Sequence, residues 1–212
     1  PINYAGLIII ILLALIIFGG VKRLGQASEF IVPFMAGAYI LMAVIIIFLN
    51  IDQIPEVISL IFRSAFNFES IYSGVFGMAI AWGIKRGIYS NEAGQGTAPH
   101  AAAAAEVNHP AEQGLVQAFS VYIDTLFACT ATAFMILFTG QYNVNGLDGS
   151  LITENLPGVD YTGFTQAAVS AHFPSIGNGF VAFALFFFAF TTIMAYYYYA
   201  ETNITYIFKK GN

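Results

Sequence analysis

Three stretches of this chain carry no formal charge: Pro1 to Val21, Phe30 to Ile51 and Tyr161 to Ala200. A helix that crosses the hydrocarbon layer needs about 20 mostly apolar residues at ~1.5 Å each, so each stretch can hold at least one span. Composition agrees. Hydrophobic residues make up 58% of the chain, charged residues 9%, and mean hydropathy is +0.74, whereas a soluble domain carries roughly 25% charged residues. The chain reads as an all-α integral membrane protein, a single membrane domain over residues 1–212 that forms a bundle rather than one anchor.

The first apolar run has no basic region before it and is followed by Lys22-Arg23 rather than a small-residue cleavage site, which argues against a signal peptide. The chain starts at Pro1, and the expectation is a fragment of a longer protein that begins just before or inside a span. Cys129 cannot close an internal disulfide by itself and reads as a small core residue. The net charge of −5 is spread over loops and does not suggest a nucleic-acid partner.

Five membrane segments are predicted, over residues 4–20, 30–49, 70–105, 115–139 and 177–206. The turn from Gly19 to Gly25 ends the first. Pro33 is placed in the first turn of the second, where a missing N–H costs nothing. Ile54, Val57, Ile58, Ile61, Phe62, Ala65 and Phe66 form an apolar stripe opposite Glu56, Ser59 and Arg63, the pattern of a helix lying at an interface or capping a bundle. Gly140 to Asp160 reads as a loop. Phe164, Ala167, Ala168 and Ala171 make a short amphipathic turn stopped by Pro174. Lys22, Arg23, Lys209 and Lys210 flank span ends, while the loops at 50–69 and 140–160 are acidic. The positive-inside rule then puts the first and last turns in the cytoplasm and the acidic loops outside. The loop with Glu106, His109 and Glu112 has no Lys or Arg, which weakens that orientation without reversing it.

The third segment is unlike the rest. Its apolar part, 70–84, is too short to span alone and runs into Lys85-Arg86-Gly87-Ile88-Tyr89-Ser90-Asn91-Glu92-Ala93-Gly94-Gln95-Gly96-Thr97-Ala98-Pro99-His100 before resuming over Ala98 to Ala105. Gly94 and Gly96 each lower helix preference by nearly ~1 kcal/mol, and Pro99 removes a backbone donor. One broken helix results. Unwound backbone at membrane depth survives only where it lines a cavity or is buried in protein. Freed N–H groups at the positive end of the following half-helix suit a carboxylate, and freed carbonyls suit Na⁺. That is the discontinuous-helix site of secondary transporters. The plainer alternative is a Gly-rich kink that lets helices approach closely.

The run from Gly83 to Ala105 also resembles the signature of the alanine or glycine:cation symporter family. Further matches lie at His109-Pro110, Gln113-Gly114-Leu115-Val116, Asp124-Thr125-Leu126 and Cys129-Thr130-Ala131-Thr132-Ala133. Upstream, Gly19-Gly20-Val21-Lys22-Arg23 and Val32-Pro33-Phe34-Met35-Ala36 resemble it too, so the likeness covers most of the chain. The resemblance implies a LeuT-type inverted-repeat transporter fold. It also implies sodium-coupled symport of a small neutral amino acid, alanine or glycine, across the cytoplasmic membrane, in a multi-pass protein. Two departures stand out. The family's other broken helix, with a Gly-Thr-Gly-Asn-type motif, is absent, which fits a fragment holding about half a binding site. Ala195-Tyr196 stands where many relatives have Gly-Trp, which bears on substrate size and identity.

Carried onto these positions, the resemblance assigns substrate contacts to Gly94, Gln95, Gly96 and Thr97. Asn91 either binds the amino acid or caps the broken helix. Thr192 and Tyr196, four apart on one helical face, would close the pocket. Thr191 and Thr192 offer hard oxygens to sodium, or bond back to the preceding turn. Lys85, Arg86 and Glu92 read as an internal ion-pair frame rather than substrate contacts. Asp124, mid-span, has either a coupling role or a packing role satisfied by Thr125 and the Thr130 and Thr132 hydroxyls.

No cofactor is expected beyond Na⁺ as coupling ion. His100, Glu106 and His109 lack the His-Glu-x-x-His spacing of a metal site. The partners expected are a small neutral amino acid, Na⁺ and the lipid bilayer. No nucleophile–base pair supports an enzyme, and no filter repeat supports a channel. A proton-coupled carrier and a non-transporting membrane subunit remain as alternatives.

Overall fold

The computed structural model describes residues 4–18, 20–66, 84–85, 87–92, 94–145 and 151–208. The apolar run 70–83, Arg86 and the Lys209-Lys210 pair lie outside the described residues. Helix α1 spans Tyr4–Ile17, α2 Gly20–Leu49 and α3 Ile54–Phe66. After the break come α4, Thr97–Ala103, and α5, Pro110–Tyr122. A π-helical stretch, Ile123–Cys129, leads directly into α6, Thr130–Thr139. Strands β1 (Asn143–Asn145) and β2 (Leu151–Glu154) form an antiparallel pair. Helix α7 covers Phe164–His172, and α8 covers Gly177–Phe208.

Among the described residues, three helices are long and apolar enough to cross a membrane: Arg23–Leu49, Pro110–Thr139 and Gly177–Phe208. Their large apolar side chains, Phe34, Leu41, Phe48, Phe119, Leu126 and Leu185 among them, are exposed, as a lipid-facing surface requires. The first expected span is shorter than read. Helix α1 has 14 residues, about 21 Å against a hydrocarbon core of about 30 Å.

The second span departs further from the expectation of residues 30–49. Its helix starts at Gly20, where a φ of 72° makes the turn out of α1. Lys22 and Arg23 therefore stand in a helix and not in a loop, because Lys, Arg, Leu, Gln and Glu are all good helix formers. Hydropathy marks where lipid begins, not where the helix does. Pro33 consequently lies inside the helix, not in its first turn. The lost backbone bond there is of the kind that membrane helices tolerate when neighbouring groups re-satisfy it. The fourth span likewise begins at Pro110, five residues before the expected start, with Pro at a position that lacks a bonding partner in any case. The fifth matches its expected range within two residues.

The chain divides into two compact units. One contains Pro1–Ala38, Gln95–Ser120 and Ala182–Asn212. Its core is Leu24, Phe190 and Met194, with Ile9, Leu13, Ile16, Ala27, Ile31 and Tyr197 packed around them. The other contains Tyr39–Gly94 and Val121–Val181. There Tyr39, Ala43 and Ile46 are buried at i, i+4 and i+7 along α2, and Ala131, Met135 and Phe138 repeat the same spacing along α6. Helix α6 packs against α7 and α3. Between membrane helices this is van der Waals packing with hydrogen bonds as supplements, since lipid is as apolar as Leu. The supplements are the Tyr39 hydroxyl with Thr132 Oγ1 at 2.8 Å and Asn50 Nδ2 donating to His172 Nε2 at 2.8 Å.

The acidic stretch expected to be all loop contains the hairpin. Asn143 organises its return: the side-chain amide donates to the Leu156 carbonyl at 2.8 Å and its oxygen accepts from the Leu156 N–H at 2.8 Å. One side chain thereby replaces two ladder bonds, an effect no periodicity signals.

Candidate functional site

The break is sharp. Residues 87–91 are helical, and helix resumes at Thr97. Between them Glu92, Gly94 and Gly96 take φ values of 55°, 80° and 85°. Left-handed backbone cannot continue a right-handed helix, and only glycine adopts it without a Cβ penalty. Glu92 is the sole non-glycine residue with positive φ among the described residues, and strained positions of this kind cluster at functional sites. Lys85 stands in the helical stretch before the break. The two limbs belong to different units.

The first limb is fastened by polar side chains. Ser90 Oγ donates to Asp124 Oδ2 at 2.7 Å, and Asn91 Nδ2 donates to Thr125 Oγ1 at 3.3 Å. Thr125 Oγ1 lies 3.5 Å from the same Asp124 oxygen, and Cys129 Sγ lies 3.1 Å from Ser90 Oγ. Asp124 and Thr125 lie in the first turn of the π-helical stretch, a local widening that occurs frequently at functional sites. The Thr130 and Thr132 hydroxyls expected to satisfy Asp124 are used elsewhere, on the Thr125 carbonyl at 3.5 Å and the Ala128 carbonyl at 3.1 Å. Ser90 is the partner that sequence reading missed. Its only signal was its place beside Asn91 in the polar run. The capping alternative for Asn91 does not hold, because the N-cap position of α4 is Gly96 and no side chain caps it.

The second limb carries a different feature. Thr97 Oγ1 is buried and has no hydrogen-bond partner among the described residues. Buried hydroxyls are almost always satisfied, and an unmet one costs about 1–3 kcal/mol. Three residues on, His100 donates from Nδ1 to the Gly96 carbonyl at 2.8 Å and accepts at Nε2 from Asn203 Nδ2 at 3.2 Å. The two bonds fix the neutral Nδ1–H tautomer. The imidazole also sits 5.6 Å from the Tyr199 ring.

In the same unit a cavity of ≈ 630 Å³ is lined by Ser28, Ala101, Glu106, Thr191, Ala195 and Tyr199, among others. Thr191 Oγ1 donates back to the Phe187 and Phe188 carbonyls at 3.0 and 3.1 Å, and Thr192 Oγ1 to the Phe188 carbonyl at 2.8 Å. Of the residues singled out on α8, Thr191 stands in the cavity wall. Thr192 and Tyr196 stand on an exposed face of the helix. Gly94, Gln95 and Gly96 are exposed at the break.

Helices long and apolar enough to cross a membrane, together with a separate helical segment broken at left-handed glycines next to a hydroxyl unsatisfied among the described residues, fit an α-helical membrane protein of the transporter class. The description "Sodium:alanine symporter family" matches residues 2–212, and the chain belongs to that family. This is a family of carriers and not of enzymes. The chain is 66% identical over 200 residues to the putative sodium/proton-dependent alanine carrier protein YrbD of Bacillus subtilis (strain 168), covering 94% of this chain and 41% of the relative. It is 57% identical over 204 residues to the sodium/proton-dependent alanine carrier protein of Bacillus sp. (strain PS3), covering 95% and 46%. To the probable sodium/glutamine symporter GlnT of Bacillus subtilis (strain 168) it is 46% identical over 204 residues, covering 96% and 40%. The chain thus spans less than half the length of these relatives.

Proposed function

We propose that this chain is part of a sodium-coupled symporter that carries a small neutral amino acid, alanine or glycine, across the cytoplasmic membrane, on a LeuT-type inverted-repeat fold. The observation that carries the reading is the buried Thr97 hydroxyl, without a hydrogen-bond partner among the described residues, directly after the Gly94-x-Gly96 turn. A polar group left unmet where the backbone has also been opened is a group kept for a ligand. Gly94, Gln95 and Gly96, exposed beside it, supply backbone donors and acceptors, and Asn91, Thr192 and Tyr196 remain candidate substrate contacts. In this reading Lys85, Arg86 and Glu92 form the frame of the break, with Arg86 outside the described residues.

Sodium fits Thr191 and Thr192 for a chemical reason. Both hydroxyl protons are committed to helix carbonyls, so the oxygen lone pairs point away from those bonds and are left for a hard cation. The relatives at 66% and 57% identity are named for alanine, which supports the smaller substrate. Proton coupling is the second reading, favoured by the words sodium/proton-dependent in two relatives' names.

The test is [³H]alanine uptake by the full-length carrier in proteoliposomes. Replacing external Na⁺ with choline abolishes uptake if the reading is right. Thr97→Val raises the alanine KM about tenfold, corresponding to about 1.4 kcal/mol of lost binding, while Thr97→Ser preserves it. Uptake that persists in choline and follows an imposed pH gradient transfers the coupling to protons, and an unchanged KM in Thr97→Val removes the hydroxyl from the site.

A further inference from the structure

His100, half-buried on α4, is held at both ring nitrogens. Nδ1 donates to the Gly96 carbonyl at 2.8 Å, and Nε2 accepts from Asn203 Nδ2 at 3.2 Å. The Asn203 amide is fixed in that sense, because the same nitrogen donates to the Tyr199 carbonyl at 2.7 Å and both of its protons are spent. Nε2 must therefore offer a lone pair, which only the neutral imidazole has. At the other end of the ring, the Gly96 carbonyl shares one rigid plane with the Thr97 N–H. Holding the carbonyl orients that donor, beside the buried Thr97 hydroxyl.

We propose that His100 is a positioning residue that joins the substrate turn to α8 only while it is neutral, so that a proton on Nε2 releases α8 from the break and weakens amino-acid binding. Protonation puts an N–H where Asn203 already presents one. If the amide turns to offer its oxygen instead, that oxygen faces the Tyr199 carbonyl and the 2.7 Å bond is lost. The bond to Gly96 survives in both cases, since Nδ1 keeps its proton. What opens is the tether to α8, and Thr192 and Tyr196 stand on the same face of α8 as Tyr199 and Asn203. The titratable group facing the imidazole is Tyr199, with ring centroids 5.6 Å apart. Glu106 shares a cavity wall with Tyr199, Glu201 on α8 is hydrogen-bonded to Tyr197, and Arg23 and Glu29 on α2 are exposed. None of the four pairs with the imidazole. The tether is thus complete at alkaline pH and is lost as pH falls through the range where an imidazole charges, about pH 8 to 5. This assignment rests on the symport reading and deepens it by making the proton an antagonist of substrate binding.

The experiment uses the full-length carrier in proteoliposomes and follows the alanine KM with pH equal on both sides of the membrane. Saturating Na⁺ keeps competition between protons and the coupling ion out of the readout. In the parent the KM rises at least about fivefold between pH 8 and pH 5.5, the size expected for one lost hydrogen bond. His100→Asn, which can still donate to the Gly96 carbonyl but cannot ionise, has a raised KM at pH 8 that changes less than about twofold over the same range. Asn203→Ala gives the same flat profile, because no tether is left to lose, and it decides the matter if His100→Asn cannot be purified. A flat profile in the parent overturns the proposal. So does the parent's slope retained in both variants, which places the proton elsewhere. A flat His100→Asn beside a sloping Asn203→Ala also overturns it, because the proton then acts on the ring without α8. Choline-insensitive uptake in the parent is a separate result that removes the symport reading and leaves the comparison of pH profiles intact.

Discussion

Asn203 and His100 are joined across 3.2 Å, the Asn203 amide donating to Nε2 of an imidazole whose Nδ1 donates to the Gly96 carbonyl at 2.8 Å. The break is thereby fastened to α8 through one ring. On that helix Thr192, Tyr196, Tyr199 and Asn203 follow at i, i+4, i+7 and i+11, a single face.

His100→Ala and Asn203→Ala should therefore act as one lesion. Each alone is expected to reduce uptake, and the double variant to be little worse than His100→Ala. The coupling energy in a double-mutant cycle should reach about 0.5–1.5 kcal/mol. Additive losses show that the two side chains do not work through each other.

Gly96 separates backbone from side-chain effects. Its φ of 85° strains any L-residue, but a Cβ there meets nothing within 4 Å. Gly96→Ala should cost about 1–2 kcal/mol, seen as lowered uptake in a protein that still purifies as a single species. Gly96→Leu should abolish uptake by filling the break. Parent-level uptake by Gly96→Leu is incompatible with substrate contact at this turn.

Two glycines at the start of α8 give a paired stability test. A methyl on Gly177 falls 2.8 Å from the Ser170 backbone N and Cα, whereas Gly179 has open space within 4 Å. Gly177→Ala should lower the melting temperature in detergent, at a cost of about 1–3 kcal/mol. Gly179→Ala should be neutral or stabilising by up to about 1 kcal/mol. Equal melting temperatures mean that α7 and the start of α8 are not packed this closely.

The Tyr39–Thr132 bond, 2.8 Å between α2 and α6, is the remaining target. Tyr39→Phe should destabilise by about 0.6 kcal/mol, the average measured for such bonds between membrane helices. Thr132→Val added to it should bring little further loss. A chemical-denaturation series on the detergent-solubilised protein decides the matter, and full additivity counts against the bond.

Helix ends were the least legible part of the fold. The start of α2 at Gly20 and of α5 at Pro110 both precede the apolar residues, because helix propensity and hydropathy are separate properties of a side chain. The face of α8 that lines the cavity was equally hidden. That helix is apolar almost all round, so spacing alone put Thr192 and Tyr196 on one face without saying which face meets a cavity. The hairpin escaped notice because it depends on Asn143 reaching Leu156 and Val159, bonds between residues distant in the chain.

The sequence by itself determined that the chain is a membrane protein and that a helix breaks around Gly94 and Gly96. Those are local matters: hydrocarbon length, the cost of charge in lipid and the φ freedom of glycine act within a few residues. Only the tertiary structure decided that Ser90 meets Asp124, that Thr97 Oγ1 is buried without a hydrogen-bond partner among the described residues, and that His100 joins Gly96 to Asn203. Each depends on which faces of separate helices meet, and helix rotation is chosen by packing and hydrogen bonding after the spans exist.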